Sequence, residues 1–236
     1  MINYEEALKK PITDLGKLVI GIILSIIPII QLVAYGFALE CSGVGKNKPS
    51  NKMPEWKEYV DYFVKGLVAL IIAIIYAIPA ILVLSIGIGY TAISIITTLV
   101  GIMPQDLLNS LMAGQVAGTQ LEQFFTQNWM LALPTLAAAA PVILLGLILL
   151  LIASYASPIA ILNYLRNKNF GKAFDFGSVF SKALTLKYFI IWIIVGLISI
   201  VLSAVLSFIP WIGSAIAFFV SSVITWSLYG QVFREK

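Results

Sequence analysis

A stretch of one hundred residues, from Gly66 to Leu165, contains no lysine and no arginine. All fifteen basic residues of the chain lie outside this stretch, which holds only two charged side chains, Asp106 and Glu122. A soluble protein needs charge distributed over its surface, whereas a membrane protein gathers Lys and Arg on the cytoplasmic side of the bilayer. The charge pattern therefore predicts an integral membrane protein, and it also predicts a topology.

The composition agrees with a membrane location. Hydrophobic residues make up 60% of the 236 residues and charged residues 11%, against about 45–50% and about 25% in soluble domains. The net charge of +4 lies next to the apolar stretches, where anionic lipid head groups account for it. Nucleic acid is therefore not an expected partner. We expect membrane lipids as partners, together with a second copy of the chain or another membrane protein.

Four uncharged stretches are long enough to cross a bilayer, which takes about 20 apolar residues. They are Leu18–Leu39, Gly66–Gln105, Gln123–Leu165 and Tyr188–Phe233. The last stretch is interrupted by Ile209–Gly213, where Pro210 predicts a turn between two spans. The predicted fold is all-α, a polytopic transmembrane helix bundle that forms a single integral membrane domain over residues 1–236.

The basic loops orient the spans. Glu40–Lys65 and Arg166–Lys187 carry five basic residues each and are predicted to be cytoplasmic, whereas Pro104–Asn128 has none and is predicted to be external. An odd number of crossings must join the two sides. We therefore expect a multi-pass protein of the cell membrane with five spans, its N-terminus outside and its C-terminus inside. The spans are expected at about residues 18–39, 66–103, 129–165, 188–209 and 212–233.

Two alternatives to this topology remain open. In a six-span arrangement Gly87–Tyr90 forms a hairpin turn inside the second stretch, and one basic loop lies outside. In the other, Leu18–Leu39 bends at Pro28 and re-enters without crossing. The three lysines of Met1–Lys17 argue against an external N-terminus.

Each predicted cytoplasmic loop contains an amphipathic pattern. Residues 54–65 and 170–184 both place aromatic residues on one helical face and charges on the other. Helices of this kind lie in the plane of the lipid head groups. We expect them to anchor the following span, with a docking surface for a soluble partner as the alternative. The tryptophans expected in aromatic belts at the interfaces are Trp56, Trp129 and Trp211.

The sequence offers little chemistry for an enzyme. There is no histidine, so a Ser-His-Asp triad or a Cys-His pair is impossible, and Cys41 is the only cysteine. The predicted spans contain no ionisable residue, and their most polar side chains, Gln31 and Asn163, are expected to bridge helices. Asp106 and Glu122 are expected to be solvated loop charges. We therefore predict no enzymatic activity and no catalytic, cofactor-binding or metal-ligating residue.

A short internal repeat keeps a second function open. Tyr-Ala-x-Pro occurs at Tyr76–Pro79 and again at Tyr155–Pro158. Repeats with proline-broken helices build the midplane substrate site of many transporters. The leading interpretation is a non-enzymatic scaffold, assembly or lipid- and partner-interacting membrane protein, and a small transporter or channel-like protein is the alternative.

Five motifs carry a family resemblance. In chain order they are Met53–Trp56, Asp61–Leu67, Ile75–Pro79, Ala173–Phe176 and Tyr229–Arg234. Together they resemble the domain-of-unknown-function 4013 family of mainly archaeal polytopic membrane proteins, over almost the whole chain. The resemblance implies one membrane domain and implies no activity, because none is established for that family.

Overall fold

The computed structural model describes residues 2–45, 49–115, 118–210 and 212–235. Within these residues the chain is α-helical and contains no strand, which confirms the predicted fold class. Trp211, and Lys46 and Lys48 of the first basic loop, lie outside them. The helices are α1 (Tyr4–Lys9), α2 (Leu15–Ile26), α3 (Gln31–Glu40), α4 (Tyr59–Ile102), α5 (Gln105–Met112), α6 (Gly118–Asn128), α7 (Leu133–Asn167), α8 (Phe176–Ala183), α9 (Leu186–Leu206) and α10 (Ile212–Arg234).

Four helical stretches are long and apolar enough to cross a membrane. They are α4, the stretch Gly118–Asn167 that ends with α7, α9 and α10. The 44 residues of α4 correspond to roughly 66 Å at 1.5 Å per residue, about twice the hydrocarbon thickness of a bilayer. Helices of this length and composition have no place in a soluble fold, and the chain is an integral membrane protein.

The second apolar stretch is one continuous helix. Helix α4 runs without interruption through Gly87–Tyr90 and through Pro79. In a hydrocarbon environment an internal turn would leave backbone groups without hydrogen bonds, so an apolar stretch stays helical even where it contains glycine and proline. The hairpin that the six-span arrangement requires is therefore wrong.

The first apolar stretch is two helices, where the sequence pattern predicted one span over Leu18–Leu39. Helix α2 ends at Ile26, and Ile27 adopts an extended conformation with φ −98° and ψ 119°. A residue that precedes proline avoids the helical region for steric reasons, so Pro28 causes the break. With 12 and 10 residues, α2 and α3 are each shorter than a crossing helix. This is the bend that the re-entrant alternative expected.

The two predicted amphipathic loop helices also differ from expectation. The first, residues 54–65, is not a separate element, because its second half forms the first turns of α4. The second, residues 170–184, divides at Asp175 into a three-ten helix, Phe170–Phe174, and α8. Turn-forming residues between α9 and α10 lie where Pro210 predicted them.

The chain forms two compact units, and the first comprises Met1–Tyr76 and Ser154–Lys236. Helix α10 lies at its centre and packs against α9, α2 and α3. The ring of the fully buried Phe219 lies against Gly21. Trp56 stacks on Phe37 with 3.8 Å between ring centroids, and its Nε1 donates a hydrogen bond to the carbonyl oxygen of Lys17. Trp56 is thus a packing residue of this unit.

Helices α3 and α4 cross in the first unit with their backbones in contact. A Cβ atom on Gly36 would lie 1.8 Å from the carbonyl oxygen of Tyr62, and one on Gly66 would lie 2.0 Å from that of Leu32. Small residues allow this approach, which is a common way of associating helices in membranes. The crossing brings Lys65, next to Gly66, within reach of Glu40.

The second unit comprises Ala77–Ala153. Its parts of α4 and α7 pack closely at Gly146, where a Cβ atom would lie 2.6 Å from the side chain of Leu84. Asp106 lies in α5 and Glu122 in α6, so neither is the loop residue that the sequence predicted, although both side chains are exposed. Trp129 is also exposed, at 57%.

Candidate functional site

A polar cavity of about 520 Å³ lies in the first unit, between the end of α7 and α8. We call it the cationic basin, because its lining contains three cations and a single carboxylate. The lining residues are Asn163, Arg166, Asn167, Lys172, Asp175, Gly177, Ser178, Ser181 and Lys182. The lining of the basin therefore carries an excess of positive charge, which suits an anion.

The last turn of α7 supplies one wall of the basin. Asn163, Arg166 and Asn167 have i, i+3 and i+4 spacing, which places them on one helical face. Helix α7 ends at Asn167, and Lys168 then takes the left-handed conformation with φ 51°. A left-handed residue directly after a helix reverses the chain. This reversal returns the following segment to the same face of α7.

Helix α8 supplies the opposite wall, and Asp175 fixes where it begins. A carboxylate oxygen of Asp175 accepts a hydrogen bond from the backbone N–H of Ser178 at 3.2 Å. The other oxygen lies 3.4 Å from the Nζ atom of Lys172. The backbone hydrogen bond first, and Lys172 second, lower the pKa of Asp175 below its ordinary value of 3.8. This carboxylate therefore stays ionised and engaged as the helix cap.

Two tyrosines of the internal repeat hold the α8 segment in place. The hydroxyl of Tyr76 donates to the carbonyl oxygen of Ala173 at 2.7 Å, just before α8. The hydroxyl of Tyr155 donates to that of Ala183 at 2.5 Å, at the end of α8. The repeat therefore places one tyrosine at each end of the segment that forms the wall of the basin. Its tyrosines are positioning residues in this unit.

Asn163 connects the two walls. Its Nδ2 atom donates to the Ser178 hydroxyl at 3.3 Å, and its Oδ1 atom accepts from the Lys182 ammonium at 3.4 Å. Asn163 is only 3% exposed, so its polar atoms are used within the protein. This confirms the expectation that Asn163 bridges helices. Gln31, by contrast, begins α3 beside the Pro28 bend.

The aromatic ring of Phe233 lies against the basic side chains. The Lys182 ammonium is 3.5 Å from the ring centroid, and the Arg166 guanidinium carbon is 6.0 Å from it. A cation above a ring face is attracted by the ring quadrupole. Within the described ranges no carboxylate forms an ion pair with Arg166, whose side chain is exposed. Arg166 therefore has hydrogen-bond donors that a ligand can use.

Two further cavities adjoin the basin. One, of about 320 Å³, shares Arg166 with it and is lined by Gly43, Val44, Arg166, Phe233 and Arg234. The other, of about 450 Å³, shares Ser181 and Lys182 with it. We call the second the apolar groove, because most of its exposed lining is apolar, and its lining residues are Ile159, Ser181, Lys182, Thr185, Lys187, Val232, Phe233 and Glu235. At the rim of the groove Lys187 pairs with Glu235 at 3.1 Å.

A second group of charged residues lies at the C-terminal end of α3 and is structural. The Glu40 side chain is fully buried and pairs with Lys65 at 2.5 Å, and Lys65 also pairs with Asp61 at 2.5 Å. Lys10 donates to the carbonyl oxygen of Cys41 at 2.8 Å, and burial lowers the pKa of this lysine. Cations here satisfy the last carbonyl groups of a helix.

The Cys41 thiol shares this buried environment. Burial raises its pKa to about 12, and the nearby Lys10 offsets only part of that rise. A thiol with so high a pKa is not a nucleophile at neutral pH. In the part of the chain that the structure describes, no three His, Cys, Asp or Glu side chains group as metal ligands.

Sequence reasoning missed both groups of residues. It treated Glu40 as a loop charge, although Glu40 is the last residue of α3 and is buried. It identified the basic residues of Arg166–Lys187 but not their convergence on Phe233. The i, i+3, i+4 spacing of Ser178, Ser181 and Lys182 was the local signal for a polar face on α8.

The comparisons with known proteins identify a family for this chain. A family model described as "Protein of unknown function (DUF4013)" matches residues 19–211. No curated protein and no solved structure matches the chain. The matched range includes the α7 and α8 walls of the basin and stops before Phe233.

Proposed function

The chain belongs to the family of proteins of unknown function DUF4013, and we propose that this member is a non-enzymatic membrane protein that binds an anionic group in the cationic basin. In this proposal it is a multi-pass protein of the cell membrane. The basic loop Arg166–Lys187, and with it the basin, faces the cytoplasm. The anionic group belongs to the lipid or partner molecule that the protein holds at the membrane surface.

The observation that carries the proposal is the set of donors around the basin. Arg166 offers a guanidinium group with no carboxylate pair among the described residues, and Lys182 lies on the opposite wall. Guanidinium, ammonium, amide and hydroxyl donors are the groups that bind phosphate and carboxylate ligands in proteins. The volume of about 520 Å³ is within the range of ligand sites.

The described lining of the basin favours a binding role over catalysis, because its polar groups are not arranged as a general acid, a general base or an activated nucleophile. General acid–base catalysis needs a group whose pKa lies near the working pH. The one carboxylate, Asp175, has a lowered pKa and caps α8. The Ser181 hydroxyl donates its hydrogen bond to the backbone carbonyl oxygen of Ser178, rather than to a side chain that could activate it as a nucleophile. The Ser178 hydroxyl instead accepts a hydrogen bond from Asn163.

The test is binding of anionic probes to the purified full-length protein in a non-ionic detergent. Inorganic phosphate and dispersed phosphatidylglycerol are titrated into wild type, Arg166→Gln and Lys57→Gln. The last variant removes the same charge from an exposed lysine that does not line the basin. A hydrogen bond to a charged group is worth about 1.5–3 kcal/mol, so we expect Arg166→Gln to weaken binding about tenfold or more.

Salt provides a second readout of the same proposal. Attraction between the basin and an anion is screened as ionic strength rises, so affinity is expected to fall with added sodium chloride. Binding of neither probe, or equal affinity of the Arg166→Gln and Lys57→Gln proteins, would contradict the proposal.

A further inference from the structure

We infer that the ligand of the cationic basin is a phosphate-bearing lipid, with its head group in the basin and its apolar part along the apolar groove. This inference rests on the proposed function, because it names the ligand class of the same site. A lipid and a soluble anion can carry the same charge, but only the lipid also needs an apolar surface beside the charged site.

The basin and the groove are contiguous. Ser181 and Lys182 line both cavities, and Phe233 forms a wall of the groove directly beneath the Lys182 ammonium. A single molecule can therefore place a charged group among the basic side chains and an apolar group in the groove beside Val232 and Phe233. A soluble anion would use only the first half of this arrangement.

Lys182 lies at the boundary between the two halves. Its ammonium is 3.5 Å from the centroid of the Phe233 ring and 3.4 Å from the Oδ1 atom of Asn163. Long basic side chains at a membrane surface place their stems along apolar groups and their charged ends at the level of the phosphates. Lys182 has this arrangement, so its ammonium is placed to meet a phosphate above an apolar wall.

The α8 segment, which forms one wall of the basin, and the residues that follow it also carry exposed apolar side chains. Phe176 and Phe180 on α8 are 55% and 39% exposed, and Leu184 and Leu186 are 76% and 74% exposed. Large apolar side chains clustered beside basic ones are the signature of a surface that lies at the boundary of head groups and acyl chains. At that depth the molecules with an anionic group and an apolar part are lipids.

Phosphate is the anionic group that the donors suit best. Arg166 can donate two parallel hydrogen bonds to one phosphate, which Lys172 and Lys182 complement as point charges. Negatively charged lipids attract basic groups near the surface of a membrane. The lining has three cations against the single carboxylate of Asp175, an excess that matches an anionic head group.

The experiment compares four probes on the full-length protein in a non-ionic detergent. The probes are inorganic phosphate, glycerol 3-phosphate, phosphatidylglycerol and an uncharged diacylglycerol with the same chains. We expect phosphatidylglycerol to bind at least tenfold more tightly than either soluble phosphate, and diacylglycerol not to bind measurably at the site. Arg166→Gln should weaken every phosphate-bearing probe about tenfold.

A second variant isolates the apolar half. Val232→Ala shortens an apolar side chain that lines the groove and not the basin, and it should weaken phosphatidylglycerol several-fold while leaving inorganic phosphate unchanged. Val223→Ala is the matched control, because Val223 is also a buried valine of α10 and lines neither cavity. Thermal unfolding of each variant confirms that it is folded.

The possible failures are distinguishable. If inorganic phosphate and phosphatidylglycerol bind equally well, with the same dependence on Arg166, the lipid inference is overturned and the proposed function stands. If diacylglycerol binds as well as phosphatidylglycerol, the head group is not recognised and the inference is also overturned. If no probe depends on Arg166, both the inference and the proposed function are overturned.

Discussion

Replacing Gly36 with alanine tests the close crossing of α3 and α4. The new Cβ atom would lie 1.8 Å from the carbonyl oxygen of Tyr62 and 2.6 Å from its carbonyl carbon, whereas ordinary contacts begin at 3.4 Å. These obstructing atoms belong to the backbone, so no side-chain rotation can relieve the overlap. The helices must separate, and the Glu40–Lys65 pair beside the crossing must be strained with them.

The magnitude combines two opposing terms. Overpacking a tightly packed interior costs about 1–3 kcal/mol, and alanine in place of glycine within a helix gains about 0.5–1 kcal/mol. We therefore expect Gly36→Ala to lower the free energy of unfolding by up to about 2.5 kcal/mol, and to leave it about 1–3 kcal/mol below that of a glycine-to-alanine change without the overlap. Gly66→Ala should behave similarly, because its Cβ atom would lie 2.0 Å from the carbonyl oxygen of Leu32.

The matched control is Gly196→Ala in α9. No atom lies within 4 Å of the Cβ position at Gly196, so only the helix-propensity term applies and stability should be unchanged or higher. Unfolding is followed by circular dichroism in mixed micelles as the fraction of denaturing detergent is raised. If Gly36→Ala is as stable as Gly196→Ala, the two helix backbones are not in contact and the described crossing is incorrect.

Three other measurements test the topology, the aromatic packing and the cap of α8. The topology is tested on intact cells with single-cysteine variants of an otherwise cysteine-free chain. An impermeant maleimide should label the Gln115→Cys variant and should not label the Lys168→Cys variant. The reverse pattern would refute the predicted orientation. Trp56→Glu should lower the free energy of unfolding by about 1.5–3 kcal/mol, because the Trp56 ring stacks on Phe37 with 3.8 Å between centroids. Lys57→Glu should change the free energy of unfolding little. Equal losses for the two variants in thermal unfolding would contradict the described packing of Trp56. The pKa of Asp175 is lowered in the folded state, so its ionised cap stabilises the fold above its ordinary pKa of 3.8 and this contribution is lost as the pH falls through the lower folded value. The stability difference from Asp175→Asn should therefore be constant between about pH 8 and about pH 5 and shrink below about pH 4; a difference that changes between pH 8 and pH 5 would show that the cap is not fully ionised there.

The break in the first apolar stretch shows where sequence reasoning stopped short. Proline was visible at position 28, and its effect on the preceding residue is local and general. Yet proline occurs within α4, at Pro79, without ending that helix. The sequence pattern does not say which prolines are accommodated, because packing of neighbouring helices supplies or withholds the hydrogen bonds that a proline removes. From the sequence alone, the bend at Pro28 was therefore only an alternative to a single span over Leu18–Leu39.

The buried Glu40 illustrates a different limit. A charge at the end of an apolar stretch indicates an interface with water when only neighbouring residues are considered. In the structure its carboxylate is fully buried, because Lys65 reaches it across the Gly36–Gly66 crossing. A buried charge persists only where a partner compensates for its lost hydration. Its partner is 25 positions away in the chain, beyond the reach of any local pattern.

The sequence by itself determined that this chain is helical, that it resides in a membrane and that it offers no histidine-based chemistry. These conclusions follow from length, hydropathy and charge, which the bilayer constrains one segment at a time. Only the tertiary structure decided that Arg166 and Lys182 meet Phe233, and that two repeated tyrosines hold the ends of α8. The physical reason is that a binding site depends on groups brought together from distant helices, and their distances are set by how those helices pack rather than by the pattern within any one of them.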